Sequence, residues 1–272
     1  MKIIPLYLIC FCFLIFSQDA FAQPPSEEDQ VGEVNEVADN FSFEAEQFAD
    51  IRVLRYQVPG FDELDVKTKE LLYYLYEAAY SGRDMIYDQN YRHNLCIRRT
   101  LEAIVTTYGG DQSTEEYAQF MEFTKKVWFS NGIHHHYSTK KFEPGFTAEY
   151  FAALVNGSDA ESLPLQEGED VAALIGKLSA ILFDPAKDAK RVNLNADADP
   201  LANSANNYYG SAVKALDAEV FYAQKKNEDD KRPISHGLNS RLVKSDDGLE
   251  EQVWKLGGMY SSAIEKIVYW LE

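Results

Sequence analysis

Three adjacent histidines, His134, His135 and His136, are the residues of this chain whose chemistry is most distinctive. They follow the turn pair Asn131-Gly132 and come shortly before two lysines. In an extended backbone His134 and His136 would share one face, while His135 would point away. A metal bound by that pair would need at least one further ligand, so a structural or substrate-contact role is favoured over metal binding. A tight connector with surface histidines is also compatible with the pattern.

A second polar group, Asn207 and Tyr208, belongs to the motif SANNYYG and precedes a predicted helix over residues 211–224. Amide and phenol groups there can hydrogen-bond an extended peptide backbone, although capping of the helix is equally compatible. Cys96 lies one helical turn after His93. Because a nucleophilic thiol needs a positioned base, a buried structural thiol is the favoured interpretation of Cys96.

Apolar side chains at helical spacing predict the helices that position these groups. The stripes cover residues 71–79, 97–105, 117–128, 147–155, 171–182 and 264–271. Ser113 or Thr114, followed by Glu116, caps the third helix, which leads directly into the histidines. The histidines are therefore expected in a loop at a helix C-terminus, where the helix dipole favours a charged ring. This position predicts a raised pKa for His134.

Alternating or β-prone runs predict a smaller set of strands. They cover Ile51–Val58 and Arg191–Asn195, and two runs around the turn at residues 245–248, Ile234–Lys244 and Leu249–Leu256, form a predicted hairpin. The chain is expected to be α+β, mostly helical with a small β-barrel or sheet.

The first 22 residues have the pattern of a secretory signal peptide. Lys2 precedes an apolar run, and Ala20-Phe21-Ala22 predicts cleavage before Gln23. Residues 23–40 are acidic and poor in aromatics, which predicts a flexible tether. The mature protein is expected to be periplasmic or secreted, with no membrane association after cleavage.

The net charge of the chain is −18 at pH 7. Lys2 and Asp19 are the charged residues of the leader and cancel each other, so cleavage leaves this value unchanged. Nucleic acids and anionic lipids bind through clustered lysine and arginine, so neither is an expected partner.

Five stretches of the chain together carry a resemblance to a known family. They are FEAEQFADIRVLRYQVPGF (Phe43–Phe61), residues Leu71–Ile104, the histidine stretch VWFSNGIHHHYSTKKF (Val127–Phe142), SANNYYG (Ser204–Gly210) and ISHGLNSRLVK (Ile234–Lys244). Residues 41–272 resemble the N-terminal part of dipeptidyl peptidase III of the type seen in Bacteroides-like bacteria. The resemblance implies one lobe of a two-lobed zinc exopeptidase that removes dipeptides from short peptides.

The resemblance also implies that the catalytic parts lie elsewhere. The family holds zinc with an HExxGH helix and a second glutamate, whereas no histidine of this chain is followed by glutamate. We therefore expect no catalytic or metal-binding residue here and a missing C-terminal zinc lobe. The helical pattern that runs to Glu272 without a stop signal agrees with a truncated chain, and its apolar stripe is expected to be exposed.

The lobe implied by the resemblance contains a five-stranded β-barrel and binds short peptides by strand addition. The candidate substrate-binding residues are Asn131, His134, His136, Asn207, Tyr208 and Asn239. The alternative is a secreted α+β module that binds a peptide or protein without chemistry.

Overall fold

Helices contribute more residues than strands to the computed structural model, which describes residues 41–226, 231 and 236–272. The helices are α1 (Val66–Ser81), α2 (Arg83–Asn90), α3 (Asn94–Thr107), α4 (Glu115–Ser130), α5 (Ala148–Asn156), α6 (Val171–Leu182), α7 (Ala215–Ala223) and α8 (Ser261–Leu271), with a 3₁₀ turn at Ala160–Ser162. The strands are β1 (Glu44–Phe48), β2 (Ile51–Leu54), β3 (Ser240–Ser245) and β4 (Gly248–Val253). The predicted α+β class is confirmed.

The predicted leader and tether, residues 1–40, lie outside the described residues. None of the helices in the described part of the chain is long and apolar enough to cross a membrane.

Side-chain caps fix the starts of several helices. The hydroxyl of Thr114 accepts a hydrogen bond from the Tyr117 amide at 3.2 Å, which confirms the capping predicted for α4. Asp170 accepts in the same way from the Ala173 amide at 2.7 Å and begins α6 at the predicted residue.

The main hydrophobic core lies among α2 to α6. Its largest fully buried side chains are Tyr87, Tyr91, Phe120, Phe151, Ile97, Leu101, Ile104, Ile133, Leu154, Leu174, Leu178 and Ile181. Those of α3 and α6 recur at helical spacing, as the apolar stripes predicted. Burial of each such side chain stabilises the fold by about 1.5–3 kcal/mol.

A smaller cluster joins α7 to the β3–β4 hairpin. Val213, Ala218 and Leu242 are buried there, and Tyr222 and Leu249 pack against them. The hairpin was predicted, but with longer strands than β3 and β4, and residues 234–235 of its first predicted strand lie outside the described residues. Its register pairs Ser240 with Val253 and Ser245 with Gly248. In the described part of the chain β1 pairs with β2 and β3 with β4, both antiparallel, and neither pair closes into a barrel. Of the two predicted forms, a small β-barrel or a sheet, the described residues therefore form sheets.

The strand predicted at Arg191–Asn195 is wrong. The chain makes only an isolated bridge, between Lys140 and Lys190, and then turns. The Asn193 side chain accepts from the Asn195 amide at 3.0 Å, and Asn195 accepts from the Asp197 amide at 3.1 Å. Asparagine side chains that bond their own backbone in this way compete with a strand ladder, which explains the error.

The strand at Ile51–Val58 is shorter than predicted, because β2 ends at Leu54. Its partner β1 was not predicted, since four of its five residues are exposed.

Helix α8 packs on α1. The Trp270 ring contacts the rings of Tyr73 and Tyr74 at 6.2 and 6.1 Å between centroids. Ile267 is half-buried, while Leu271 is 52% exposed. The apolar stripe that was expected to be exposed is thus partly covered.

Candidate functional site

The last three residues of α2 connect the segments that carry the predicted site residues. Asn90 donates from its amide to the Asn131 carbonyl at 3.0 Å, and Gln89 donates to the Leu238 carbonyl at 2.9 Å. Asp88 accepts from the Asn207 side chain at 2.9 Å. We call these bonds the α2-end network. It joins the end of α4, the segment before α7 and the segment before β3.

The α2-end network also includes Tyr260, the residue before α8. Its hydroxyl donates to the Asp88 carboxylate, and its backbone has a left-handed φ of 63°. Burial raises the pKa of Asp88 above its usual value, although the bond from Asn207 acts in the opposite direction. Asp88 thus fixes the start of α8 and the Asn207 segment to the same point of α2.

Arg191 extends the α2-end network to the histidines. Its guanidinium donates to the Asn90 side-chain oxygen at 3.2 Å and to the His136 carbonyl at 3.1 Å. The Asn206 side chain donates to the Arg191 carbonyl at 3.1 Å. Burial lowers the pKa of Arg191 from its ordinary value, but an arginine so far above neutrality stays charged.

A strained turn holds the start of the histidine segment. Asn131 ends α4 with a left-handed φ of 51°, and Gly132 follows with φ of 143°. A Cβ at Gly132 would collide with the side-chain amide of Asn94. That amide is itself buried, where it donates to the Tyr87 carbonyl at 3.0 Å and accepts from the Ile133 amide at 3.2 Å. Glycine is therefore required at position 132.

His134 is a core residue and not a surface ligand. It is 1% exposed, its Nε2 donates to the Asp188 carbonyl at 2.8 Å, and the Tyr91 ring lies edge-on at 5.5 Å. Burial lowers the pKa of His134 to about 4, because desolvation outweighs the bond to that carbonyl. The raised pKa predicted from the helix dipole is wrong, since burial dominates here. A substrate contact by His134 is not supported by this placement.

His135 and His136 stack on each other instead of alternating. Their ring centroids are 4.4 Å apart with an interplanar angle of 22°. The backbone is not extended here, because the His135 Nδ1 accepts from the amides of Tyr137 and Ser138, both at 3.1 Å. The alternation expected for an extended backbone, with His134 and His136 on one face, therefore does not apply to this turn. His136 instead contacts the ring of Tyr137 at 4.5 Å.

The described residues do not fit a zinc ion. No group of three histidine, cysteine, aspartate or glutamate side chains in that part of the chain can hold a metal. An Nδ1 that accepts two amide bonds leaves the proton of His135 on Nε2, so neither ring nitrogen offers a lone pair to a metal. His134 uses its Nε2 for the Asp188 carbonyl, and its Nδ1, which has no hydrogen-bond partner among the described residues, is buried in the core.

The segment with Asn207 and Tyr208 runs beside β3. The Leu242 amide donates to the Tyr208 carbonyl at 3.0 Å, and the Gly210 amide donates to the Leu242 carbonyl at 2.7 Å. Asn207 is 8% exposed, and its backbone amide donates to the Gln89 carbonyl at 2.8 Å. The side chain of Asn207 and the backbone of Tyr208 are thus held within the chain, and burial raises the pKa of Tyr208.

Asn239 is exposed, and its carbonyl accepts from the Trp254 amide at 3.0 Å. The structure therefore brings Asn131, His136, Asn207 and the Asn239 segment into the α2-end network, whereas His134 lies in the core. Sequence reasoning missed Asp88 and Arg191, which join these segments. The polar run Asp88-Gln89-Asn90 at a helix end was the available signal.

Cys96 is half-buried and unpaired. Burial raises the pKa of its thiol, as expected for a structural cysteine.

No known family model matches this chain, and no curated protein matches it either.

Proposed function

We propose that residues 41–272 are the N-terminal, substrate-binding lobe of an exported zinc-dependent dipeptidyl peptidase. The resemblance of the five quoted stretches supports this assignment. The zinc and the general base would come from a C-terminal lobe, since the residues described here do not fit the metal. By itself this chain would bind short peptides and would not cleave them.

The proposal of peptide binding rests on the outer edge of β4, where backbone amides and carbonyls have no partner within the described residues. Leu242 points its amide and carbonyl away from β4, toward Tyr208 and Gly210. Its partner Glu251 therefore sits in a non-hydrogen-bonded pair, and its own backbone groups point outward. The same holds for Leu249 and Val253, which lie two residues to either side. Within the described residues these groups have no backbone partner.

Such an edge is a template for an added strand. An extended peptide would bond these backbone groups whatever its side chains, which suits an enzyme that accepts many sequences. The α2-end network supports this use because Gln89 fixes the Leu238 carbonyl directly before β3.

Replacing Val253 tests the edge with a matched pair of variants. Val253→Pro removes the outward amide without touching the β3 ladder, whereas Val253→Ala keeps the amide and loses the same exposed side chain. We expect a fluorophore-labelled pentapeptide to bind Val253→Pro about fivefold more weakly than Val253→Ala, as for one lost hydrogen bond. Equal affinities in fluorescence anisotropy would reject strand addition at β4.

Hydrolysis of a dipeptidyl-naphthylamide tests the enzyme assignment. The 272-residue chain is compared with the same chain extended along its native reading frame, each with zinc and then with a chelator. We expect activity only in the extended, zinc-loaded protein. Inactivity of both would favour the alternative, a non-catalytic secreted module.

One feature favours that alternative. The Tyr76 and Tyr80 rings of α1 stack at 6.2 Å and are 64% and 52% exposed. Exposed aromatic rings of this kind are frequent at protein interfaces. A binding module would use this face for a protein partner.

A further inference from the structure

A cavity of about 310 Å³ lies where α1, α2, α3 and α8 meet. Arg83, Arg99 and Lys266 line it together with Asp84 and Ser262. Three cationic side chains against one carboxylate stand out in a chain of net charge −18. The cavity is therefore positive against the trend of the molecule.

The carboxylate in the cavity wall, Asp84, already has cationic partners. Asp84 accepts from Arg98 at 2.7 Å and from Arg99 at 3.2 Å. Burial would raise the pKa of Asp84, but these guanidinium groups outweigh it and hold the pKa below its usual value. Asp84 thus stays charged and orients Arg99 at the wall of the cavity.

The other two cations have no acidic partner within the described residues. Arg83 lies over the Tyr80 ring at 4.8 Å, and Lys266 is exposed on α8. Neither makes an ion pair in that part of the chain. Two unmatched charges and the oriented Arg99 therefore face one space.

Close packing fixes the walls of the cavity. A Cβ at Gly82, between α1 and α2, would lie 3.5 Å from the Ile267 side chain. This contact places α8 against the junction of α1 and α2, which brings Lys266 and Ser262 to the arginines. The Ser262 hydroxyl adds a neutral donor to the cationic lining.

We propose that this cavity binds a phosphate-type oxyanion, with Arg83, Arg99 and Lys266 as its charged contacts. A phosphate dianion presents three terminal oxygens, which suits donors that converge from three elements. A carboxylate carries one charge and two oxygens, and a single guanidinium satisfies it. Free phosphate and a phosphomonoester offer the same group, so the chemistry is common to both.

Isothermal titration of inorganic phosphate into the chain, at constant ionic strength, tests the proposal. We expect saturable binding to one site that Lys266→Glu weakens at least about tenfold, as for a lost charge-assisted contact. Lys266 is exposed, so the variant should fold, which circular dichroism verifies. The control is Lys67→Glu, the same charge reversal at the end of α1 that is remote from the cavity. Lys67 lies about 20 Å by helix rise from Ser81, which lines the cavity.

Two further titrations distinguish a phosphomonoester from free phosphate and test whether the site prefers phosphate to a carboxylate. Adenosine monophosphate that binds as tightly as phosphate assigns the site to phosphomonoesters, and weaker binding assigns it to free phosphate. Acetate that binds as tightly as phosphate would overturn the proposal. So would equal affinity of wild type and Lys266→Glu, or the absence of saturable binding.

Discussion

Buried His134 makes the stability of the chain depend on pH. The pKa of this histidine is lowered to about 4 in the folded chain, against an ordinary value of about 6.5. The unfolded chain therefore takes up a proton at a higher pH than the folded chain does. Stability from this residue is complete above pH ~6.5 and is lost as the pH falls through the folded pKa.

The magnitude follows from the two values. At pH ~5, proton binding by His134 favours the unfolded chain over the folded chain by a factor of about 30. This factor corresponds to a loss of about 2 kcal/mol of unfolding free energy. Below pH ~4 the loss levels off at about 3 kcal/mol, because one pKa unit corresponds to about 1.4 kcal/mol.

Urea unfolding of wild type and His134→Gln at neutral pH and at pH ~5 measures this effect. Glutamine lacks the titration but can still donate toward the Asp188 carbonyl. The carboxylates titrate in both proteins and cancel in the comparison. We expect wild type to lose about 2 kcal/mol more than the variant over this interval. Parallel losses in the two proteins would show that His134 is not kept neutral by burial.

Three further predictions concern stability, each measured by chemical denaturation. Gly132→Ala should cost about 2–4 kcal/mol, from strain at a positive φ and overpacking, and a cost below 1 kcal/mol would contradict this. Lys141 donates to one carbonyl in the last turn of α6 and to two in the segment that follows it. Lys141→Met should therefore cost about 2–3 kcal/mol, whereas exposed Lys140→Met should be nearly neutral. Tyr260→Phe removes the donor to Asp88 and should cost about 1.5–3 kcal/mol; an unchanged midpoint would count against that bond.

The helices were predictable because burial imposes a period of 3.6 residues on the sequence. The α6 stripe ends where the helix ends, at Leu182, and a capping side chain marks the start of α4. Strand β1 gave no such signal, since its residues face solvent and bury almost nothing. Its pairing depends on β2, which lies beside it, and not on its own pattern.

The site was only partly predictable because its bonds join distant parts of the chain. Asp88 and Asn207 are separated by 119 residues, and Asn90 and Arg191 by 101. No local spacing encodes such contacts. The error over the pKa of His134 has a similar origin. The helix dipole is a local effect, whereas the burial that outweighs it comes from residues far along the chain.

Most of the predicted site residues already make hydrogen bonds to other residues of the chain. Asn207 is bonded to Asp88 and to Gln89, and the carbonyl of Asn131 accepts from Asn90. A ligand that displaced these bonds would gain little, because it would replace one satisfied contact by another. For the proposed peptide binding, the outward backbone of β4 and the exposed Asn239 are therefore better candidates than Asn131 and Asn207. In this view the α2-end network positions the binding surface and does not form it.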